Sequence, residues 1–496
     1  MITPKQSNIR KYIIYILSGL LIIGNITLVF NKSIWYDEVY SLNLVEGNFA
    51  QIVSGTAQDV HPPLYYLILK LGLLIGNGLL GINAIYVAKF ISIIPIILTV
   101  IINHRWVRKW VGEGIWLHSF CILAMPRIMS HAGIEIRMYS WAGLFVYLAF
   151  LFAVSILRDG DRTGHWVGLT LTALAATYCH YFACIAAFFV YLGLFIGLLI
   201  KRRSAKSVGF LLISGGGILL GYLPWLFVLF GQLKTVGGDY WIAPIGRSAC
   251  IQIMEYPFGD NATPPYMACF IILITGVALA LLSFGKIAHD SDIWLAFYAM
   301  SILALTVITG VVVSRLFRPI FLPRYMIPTL WSFWLGVCLL TGKSGKIRKH
   351  IIVLCLLLGG LYSFCHLYTE ESFRGQQAGK LMADTGLSDS KLSTCTEIPD
   401  TAISNVDASS ATDDGHIYIT DSRHVYYVIK FYCGDDDTVY LVRPGEEYES
   451  LSDVKDAQYA ILLNDGPLKD EIDSSWEHLD DYQLEVYDVM AYKRCR

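Results

Sequence analysis

Residues 11–30 read KYIIYILSGLLIIGNITLVF, and they are followed at 31–41 by NKSIWYDEVYS. The first of these stretches is apolar and long enough to cross a bilayer as one helix. Basic residues precede it and no small-residue cleavage site follows it before Asn31, so it predicts a first transmembrane helix rather than a signal peptide. Because positive charge favours the cytoplasmic side, we expect the N-terminus in the cytoplasm.

The whole chain shares this apolar character. Its 496 residues are 55% hydrophobic and 16% charged, and the mean hydropathy is +0.52. Such values are typical of a polytopic membrane protein, and they exclude a disordered chain, a collagen and a small disulfide-stabilised protein. The strands of an outer-membrane barrel alternate between polar and apolar residues, so continuous apolar runs exclude that class as well.

Twelve apolar segments predict the membrane architecture, and short basic loops predict which ends are cytoplasmic. The basic cluster at 104–109 is expected inside and the loop at 31–62 outside, which allows only one net crossing between them. Two apolar segments, 64–80 and 82–103, nevertheless lie between these loops. Either residues 64–80 form a partial or interfacial helix, or the charge rule fails at one loop. We favour about 11 full crossings. The twelve segments are 12–30, 64–80, 82–103, 114–130, 138–157, 166–182, 183–200, 207–231, 264–285, 292–313, 325–342 and 350–368.

A change in composition predicts two domains, at residues 1–369 and 370–496. The second contains 27 acidic and 11 basic residues, a net charge of −16, whereas the first contains 13 acidic and 27 basic residues, a net charge of +14. Apolar runs in the second shorten to strand length at 415–420, 425–429, 459–463 and 486–492. We therefore expect an all-α membrane domain followed by a small extracytoplasmic α/β domain with a solvated acidic surface.

Two motifs in the first outward loop carry candidate chemistry. Asp37 and Glu38 are adjacent, and neighbours on a helix diverge by about 100°. One carboxylate is therefore expected to face the reaction while the other holds the loop. His61 precedes two prolines, which fix the chain at a helix start and leave the imidazole placed to donate to a phosphate oxygen. Each motif alone is equally compatible with a polar residue at the membrane interface.

The later outward loops add cationic groups. Arg137 is expected to face a polar cavity or to pair with Glu135. In the next turn, His180 is more simply interpreted as an interfacial histidine. Arginines at 315, 318 and 324 break the positive-inside trend. Because a guanidinium group suits phosphate oxygens, these arginines predict an anion site near the membrane surface, with lipid headgroup binding as the alternative.

The order of these motifs resembles a known family. Trp-Tyr-Asp-Glu at 35–38, His-Pro-Pro-Leu-Tyr-Tyr at 61–66, Glu-x-Arg-x-Tyr at 135–139 and Pro-Arg-Tyr at 323–325 are similar to the bacterial members of glycosyltransferase family 39. That family is related to protein O-mannosyltransferases and lipid A aminoarabinose transferases in the glycosyltransferase C superfamily. The resemblance covers about residues 10–345.

The resemblance implies a membrane enzyme that takes a sugar from a polyprenyl-phosphate donor, with a lipid, glycan or protein as acceptor. It implies that Asp37 activates the acceptor with support from Glu38. The donor phosphate would be bound by His61, which stands where relatives often have lysine, and by the side chains Arg137, Arg318, Arg324 and Tyr325. Further site candidates are Tyr65, Glu135, Tyr139 and His180.

No cofactor is expected. A divalent metal is chemically compatible with the superfamily, but the resemblance favours an enzyme without an essential metal. Walker and dinucleotide-binding glycine motifs are absent from the sequence, and no basic, aromatic-rich soluble surface indicates nucleic-acid binding. Two alternatives from other classes are a polytopic lipid or solute transporter and a non-catalytic membrane scaffold that displays the acidic tail. A transporter would bury ionisable residues within its spans, whereas the candidate charges lie at outward ends.

Overall fold

The structure is a computed structural model that describes residues 4–30, 33–124, 133–202, 204–236, 242, 244–258, 291–343, 346–387, 416–433, 437–443, 448–484 and 487–495. The chain divides into two compact units. The first unit comprises Met1–Val29, Asn48–Gly72 and Lys89–Tyr368, and the second comprises Phe30–Gly47, Leu73–Ala88 and Thr369–Arg496. The second unit therefore combines the C-terminal part with two segments from the first hundred residues.

Long apolar runs form helices along most of the chain, because a helix satisfies every backbone polar group without water. Short π-helices follow three of them at Leu74–Leu79, Asn103–Val107 and Leu198–Arg202. The α-helices are α1 (Pro4–Leu28), α2 (Tyr36–Leu44), α3 (Phe49–Gln58), α4 (Leu64–Leu73), α5 (Ala84–Ile102), α6 (Arg108–Val111), α7 (Ile115–Ala124), α8 (Tyr139–Asp159), α9 (Thr163–Cys179), α10 (Tyr181–Gly197), α11 (Ala205–Val236), α12 (Arg247–Glu255), α13 (Ser291–Leu316), α14 (Ile327–Lys343), α15 (Lys346–Thr385) and α16 (Arg423–Tyr432).

The predicted apolar segments coincide with these helices, except that residues 125–130 and the whole segment at 264–285 lie outside the described residues. Within the described part, seven helices are long and apolar enough to cross a membrane, and shorter apolar helices occupy Tyr15–Leu28, Leu64–Leu79 and Ile115–Ala124. The chain is thus a multi-pass membrane protein. The shortness of the helix at Leu64–Leu79 agrees with the partial helix, one of the two alternatives left open above, while the side on which each terminus lies stays a prediction.

In the first unit, α8 and α14 form the centre of the helix bundle. Helix α8 packs on α9, α10 and α14, and α14 also packs on α7 and α13. A Cβ atom on Gly143 of α8 would lie 2.4 Å from the indole ring of Trp331 on α14. Only glycine permits this approach, which brings the two helices together.

A buried polar network fixes these helices relative to one another. Asn103 donates to His118 Nδ1 and to Ser119 Oγ, both at 3.0 Å, and it accepts from the Tyr147 hydroxyl at 2.8 Å. His118 Nε2 donates to the backbone oxygen of Trp331 at 2.8 Å. The network joins the end of α5 to α7, α8 and α14. Because buried polar groups are costly unless they are paired, it specifies one packing of the bundle.

The second unit contains a five-stranded mixed sheet of order β2-β1-β3-β5-β4. Strand β1 pairs in parallel with β2 and β3, with Tyr418 opposite both Val439 and Tyr459, whereas β5 pairs antiparallel with β3 and β4. Helix α16 connects β1 to β2. The strands are β1 (Ile417–Thr420), β2 (Thr438–Leu441), β3 (Tyr459–Leu463), β4 (Trp476–Leu484) and β5 (Tyr487–Arg494). The predicted small α/β domain is confirmed.

One strand prediction is wrong. Residues 425–429 lie in helix α16 rather than in a strand. Valine, tyrosine and isoleucine favour strands, but the buried positions Val425, Val428, Ile429 and Tyr432 recur at helical spacing. The Ser422 side chain accepts from the Val425 amide and caps the helix start. Burial of one face against the sheet therefore outweighs strand propensity.

Candidate active site

The first element of the site is the turn between α3 and α4. Asp59 ends α3, and Pro62 and Pro63 lead into α4 at Leu64. His61 Nδ1 lies 2.7 Å from Asp59 Oδ2. Prolines on its C-terminal side restrict the backbone, so the imidazole is held by its own turn as well as by the carboxylate.

The turn before α8 contributes the second element. Arg137 is only 2% exposed, and its Nη2 lies 3.3 Å from His61 Nε2. Asp59, His61 and Arg137 therefore form a chain of acid, imidazole and guanidinium that joins two loops. Sequence reasoning missed Asp59, although an acid two residues before a loop histidine was the available signal.

The electrostatics of this chain favour an ionised Asp59. Burial acts to raise the pKa of the Asp59 carboxyl, but its contact and hydrogen bond with His61, the Val60 amide and the charge of Arg137 together lower it to about 2. Asp59 is consequently a carboxylate throughout the physiological pH range.

His180 contacts the start of α8 and the turn before α14. It precedes α10, and its Nδ1 accepts from the Phe182 amide at 3.2 Å, which caps that helix. The imidazole lies 5.5 Å from the Tyr139 ring and 5.1 Å from the Tyr325 ring, measured between centroids. Burial lowers the pKa of His180, and nearby positive charges, those of Arg137 and Arg324 among them, lower it further. His180 is therefore a neutral packing residue.

Arg324 and Tyr325 lie on a short 3-10 turn, Pro323–Met326, that leads into α14. Upstream, Ser314 Oγ accepts from the amides of Ile320 and Phe321 at 3.2 and 3.0 Å, which closes the preceding loop. Tyr325 is buried and stacks on Phe182 at 5.1 Å. The turn is thus anchored on both sides, so the Arg324 guanidinium starts from a rigid backbone.

Together these residues form what we call the loop cluster: Asp59, His61, Arg137, His180, Arg324 and Tyr325. Four turns separated along the chain contribute to it. The cluster brings together the guanidinium groups of Arg137 and Arg324, which are suited to bind an anion, and the Asp59 carboxylate.

The other predicted candidates of the first unit lie around these turns. Tyr65 is fully buried on α4, with its hydroxyl 3.5 Å from Ser92 Oγ. The Glu135 backbone oxygen accepts from the Arg137 amide at 2.8 Å and shapes the turn. Arg318 lies between α13 and the 3-10 turn, six residues before Arg324. Arg315, at the end of α13, donates to the Ile245 backbone oxygen at 3.2 Å.

Asp37 and Glu38 occupy the first turn of α2, which belongs to the second unit. Glu38 is buried, and its carboxylate accepts from the Trp35 amide at 3.0 Å, which caps the helix. Asp37 is half-buried, and its backbone oxygen accepts from the Ser41 hydroxyl at 2.9 Å. The two carboxylates thus differ in environment, and Glu38 holds the helix start.

Helix α2 packs on α16 of the C-terminal sheet. The Tyr36 ring lies 4.9 Å from His424 and 5.4 Å from Tyr427, and His424 stacks on Tyr487 at 6.1 Å. The residue before Asp37 is therefore held by aromatic groups from the C-terminal part. No local sequence signal connected these segments, which lie almost four hundred residues apart.

Within the described residues, no three His, Cys, Asp or Glu side chains lie close enough together to hold a metal ion. Carboxylates, imidazoles and thiolates are the usual ligands of protein-bound metals.

Comparison with solved structures finds a similar fold in ArnT from Cupriavidus metallidurans. The apo crystal structure of ArnT matches with a TM-score of 0.57 at 12% identity, over 96% of this chain and 97% of that one. ArnT bound to undecaprenyl phosphate matches with a TM-score of 0.54 at 12% identity over the same shares. No protein-family model matches the sequence, and no curated protein matches it. The predicted fold class, an all-α polytopic membrane protein with a small C-terminal α/β domain, is confirmed, and this fold is similar to that of ArnT.

Proposed function

We propose that this protein is a membrane glycosyltransferase that moves a hexosyl or pentosyl group from a polyprenyl-phosphate donor to an acceptor hydroxyl on the extracytoplasmic side. The observation that carries the proposal is the loop cluster, in which the turns that carry Arg137 and Arg324 meet at His180, whose ring contacts those of Tyr139 and Tyr325. Guanidinium groups carried on separate turns suit the oxygens of a phosphate. ArnT, which has a similar fold, has been crystallised with undecaprenyl phosphate.

The proposed reaction follows from where charge develops. A bond forms between the acceptor oxygen and the anomeric carbon as the bond from that carbon to the phosphate oxygen breaks. Negative charge grows on the leaving lipid phosphate, where Arg137 and Arg324 stabilise it, with Arg318 and the Tyr325 hydroxyl as further donors. Asp37 accepts the proton of the acceptor hydroxyl. Attack opposite the leaving phosphate inverts the anomeric carbon.

The difference between Asp37 and Glu38 supports this division of labour. Glu38 is buried and committed to the helix cap, so it is poorly placed to exchange protons with a substrate. Asp37 is half-buried and lies one residue earlier on the same helix turn.

The proposal includes independence from a resident metal, because guanidinium groups supply the positive charge that a divalent ion supplies elsewhere. Transfer activity is therefore expected to persist after dialysis against a chelator. Loss of activity on chelation, restored by adding back one divalent ion, would assign that charge to a metal.

The experiment that tests the function incubates the purified protein with a panel of radiolabelled polyprenyl-phosphate hexoses and pentoses and with membrane acceptors. We expect the wild type to transfer label from at least one donor and Asp37→Asn to lose transfer. The control is Asp159→Asn, which changes an exposed acid at the end of α8. Normal membrane insertion of Asp37→Asn without transfer separates an enzyme from a scaffold. Uptake of a solute without transfer would instead identify a transporter.

A further inference from the structure

The contact between Arg137 and His61 determines which protonation state the imidazole adopts. An arginine nitrogen only donates hydrogen bonds, and Arg137 Nη2 lies 3.3 Å from His61 Nε2. A hydrogen bond there requires a lone pair on Nε2, because two N–H groups that face each other repel. On the other side of the ring, Nδ1 lies 2.7 Å from the Asp59 carboxylate, which only accepts. Nδ1 therefore carries the proton and the ring is neutral.

We propose that Asp59 and His61 are positioning residues that act on the reaction through Arg137. Asp59 fixes the Nδ1–H tautomer of His61, and the Nε2 lone pair then receives and orients the Arg137 guanidinium. The inference rests on the proposed function and deepens it, because it states how one phosphate-binding group of that site is aimed. His61 thus differs from a lysine at the same position, which would bring its own positive charge to the phosphate.

The surrounding charges favour this arrangement. Arg137 is almost fully buried, and a buried guanidinium needs partners of fixed geometry to keep one orientation. A protonated His61 would place a positive charge directly against Arg137, with His180 and Arg324 nearby on two further turns. Asp59 is the carboxylate in contact with the ring. A neutral ring between Asp59 and Arg137 transmits orientation without adding like-charge repulsion.

Two substitutions at position 61 separate positioning from direct phosphate binding. In His61→Gln, the amide nitrogen donates to Asp59 while the amide oxygen accepts from Arg137, so the variant copies both contacts of the neutral ring. In His61→Lys, the ammonium group can only donate, and it repels Arg137. We expect kcat/KM for the donor to stay within about threefold of wild type in His61→Gln and to fall about tenfold or more in His61→Lys.

The opposite order would overturn the proposal, since a lysine that performs as well as or better than glutamine means that position 61 supplies charge to the phosphate. In Asp59→Ala, kcat/KM for the donor is expected to fall about as far as in His61→Lys. The matched control is Asp481→Ala, which removes the carboxylate of another histidine–aspartate pair, His478 and Asp481, 2.9 Å apart on the C-terminal sheet. That control is expected to leave donor kinetics unchanged.

A spectroscopic measurement keeps the inference testable if no donor in the panel is turned over, an outcome that would refute the proposed function alone. Nitrogen-15 spectra of the histidine-labelled protein resolve ring tautomers, and the His61→Gln spectrum assigns the His61 signal among the 12 histidines. We expect a neutral Nδ1–H ring in the wild type and loss of that preference in Asp59→Ala. An Nε2–H or doubly protonated ring at neutral pH, or an unchanged signal in Asp59→Ala, would refute the positioning role.

Discussion

Replacing Arg137 by methionine tests the phosphate site. Methionine has a similar length and no charge. Because the exchange leaves His61 without a buried partner, some loss of stability is expected, and rates are therefore compared at equal amounts of folded protein. A charge-assisted hydrogen bond contributes about 1.5–3 kcal/mol. At about 1.4 kcal/mol for each factor of ten, loss of the Arg137 contact to the phosphate lowers kcat/KM for the donor about 10- to 150-fold.

The control for this prediction lies at the other end of the same helix. Arg158 is in the last turn of α8, exposed and 5.9 Å above the Trp110 ring, whereas Arg137 directly precedes that helix. Helix α8 has 21 residues, so about 30 Å separates the two positions. Arg158→Met is expected to change kcat/KM less than about twofold, as an exposed cation–π contact contributes little.

The assay measures initial rates of label transfer at several donor concentrations, with folded protein matched by size-exclusion chromatography in detergent. The predicted result is a large loss in Arg137→Met beside near-normal rates in Arg158→Met. Equal rates in the two variants, or an Arg137→Met rate within about twofold of wild type, would refute the assignment of Arg137 to the donor phosphate.

Three further predictions concern stability and the remaining site groups. Tyr325→Ala removes a buried ring that stacks on Phe182, so it is expected to cost about 3–5 kcal/mol of stability and to lower Tm. Tyr325→Phe keeps the ring, so Tm should stay unchanged while kcat/KM for the donor falls about 2- to 12-fold. Equal kinetics for Tyr325→Phe and wild type would exclude a contact of the hydroxyl with phosphate. The pKa of Asp59 falls from 3.8 to about 2 in the folded protein, so ionised Asp59 stabilises the fold by no more than about 2 kcal/mol above pH 4. This contribution is lost as the pH falls towards 2, and Asp59→Asn should therefore lower Tm at pH 6 more than at pH 3. A difference in Tm that does not depend on pH would contradict the pairing of Asp59 with His61. Asn103→Leu leaves His118 and Tyr147 without their buried partner and is expected to lower the free energy of unfolding by about 1–3 kcal/mol, measured as a lower Tm in detergent. An unchanged Tm would mean that the network adds nothing to the stability of the helix bundle.

The membrane helices were predictable from sequence because each apolar run is long and continuous, so its burial in lipid leaves the backbone no alternative to a helix. Helix α16 was not predictable in the same way. Its residues Val425 to Ile429 are strand formers, and only the packing of positions 425, 428, 429 and 432 on the sheet selects the helix. A ten-residue segment of mixed propensity is decided by tertiary contacts, which local composition does not contain.

The candidate site was partly predictable for a related reason. His61, Arg137 and Arg324 stood out because charged residues at outward ends of apolar helices are costly and need partners. Their convergence depends on contacts between segments far apart in sequence: the contact between His61 and Arg137 spans 76 residues. Asp59 was not predicted as a site residue because its role depends on its contact with His61. That contact gains its meaning from the contact of His61 with Arg137, which only the folded structure shows. The packing of α2 on α16 likewise depends on contacts of Tyr36 with His424 and Tyr427, which form only in the folded chain.

Phosphorus-31 NMR of the donor lipid tests the central claim most directly, because sugar transfer converts its phosphodiester into a phosphomonoester with a separate resonance. With donor and acceptor present, the wild type should produce the monoester signal, and both Asp37→Asn and Arg324→Ala should fail to produce it at equal amounts of folded protein. A wild-type spectrum that remains unchanged for every polyprenyl-phosphate sugar, or monoester production by either variant at the wild-type level, would contradict the proposed catalytic roles of the Asp37 carboxylate and the Arg324 guanidinium.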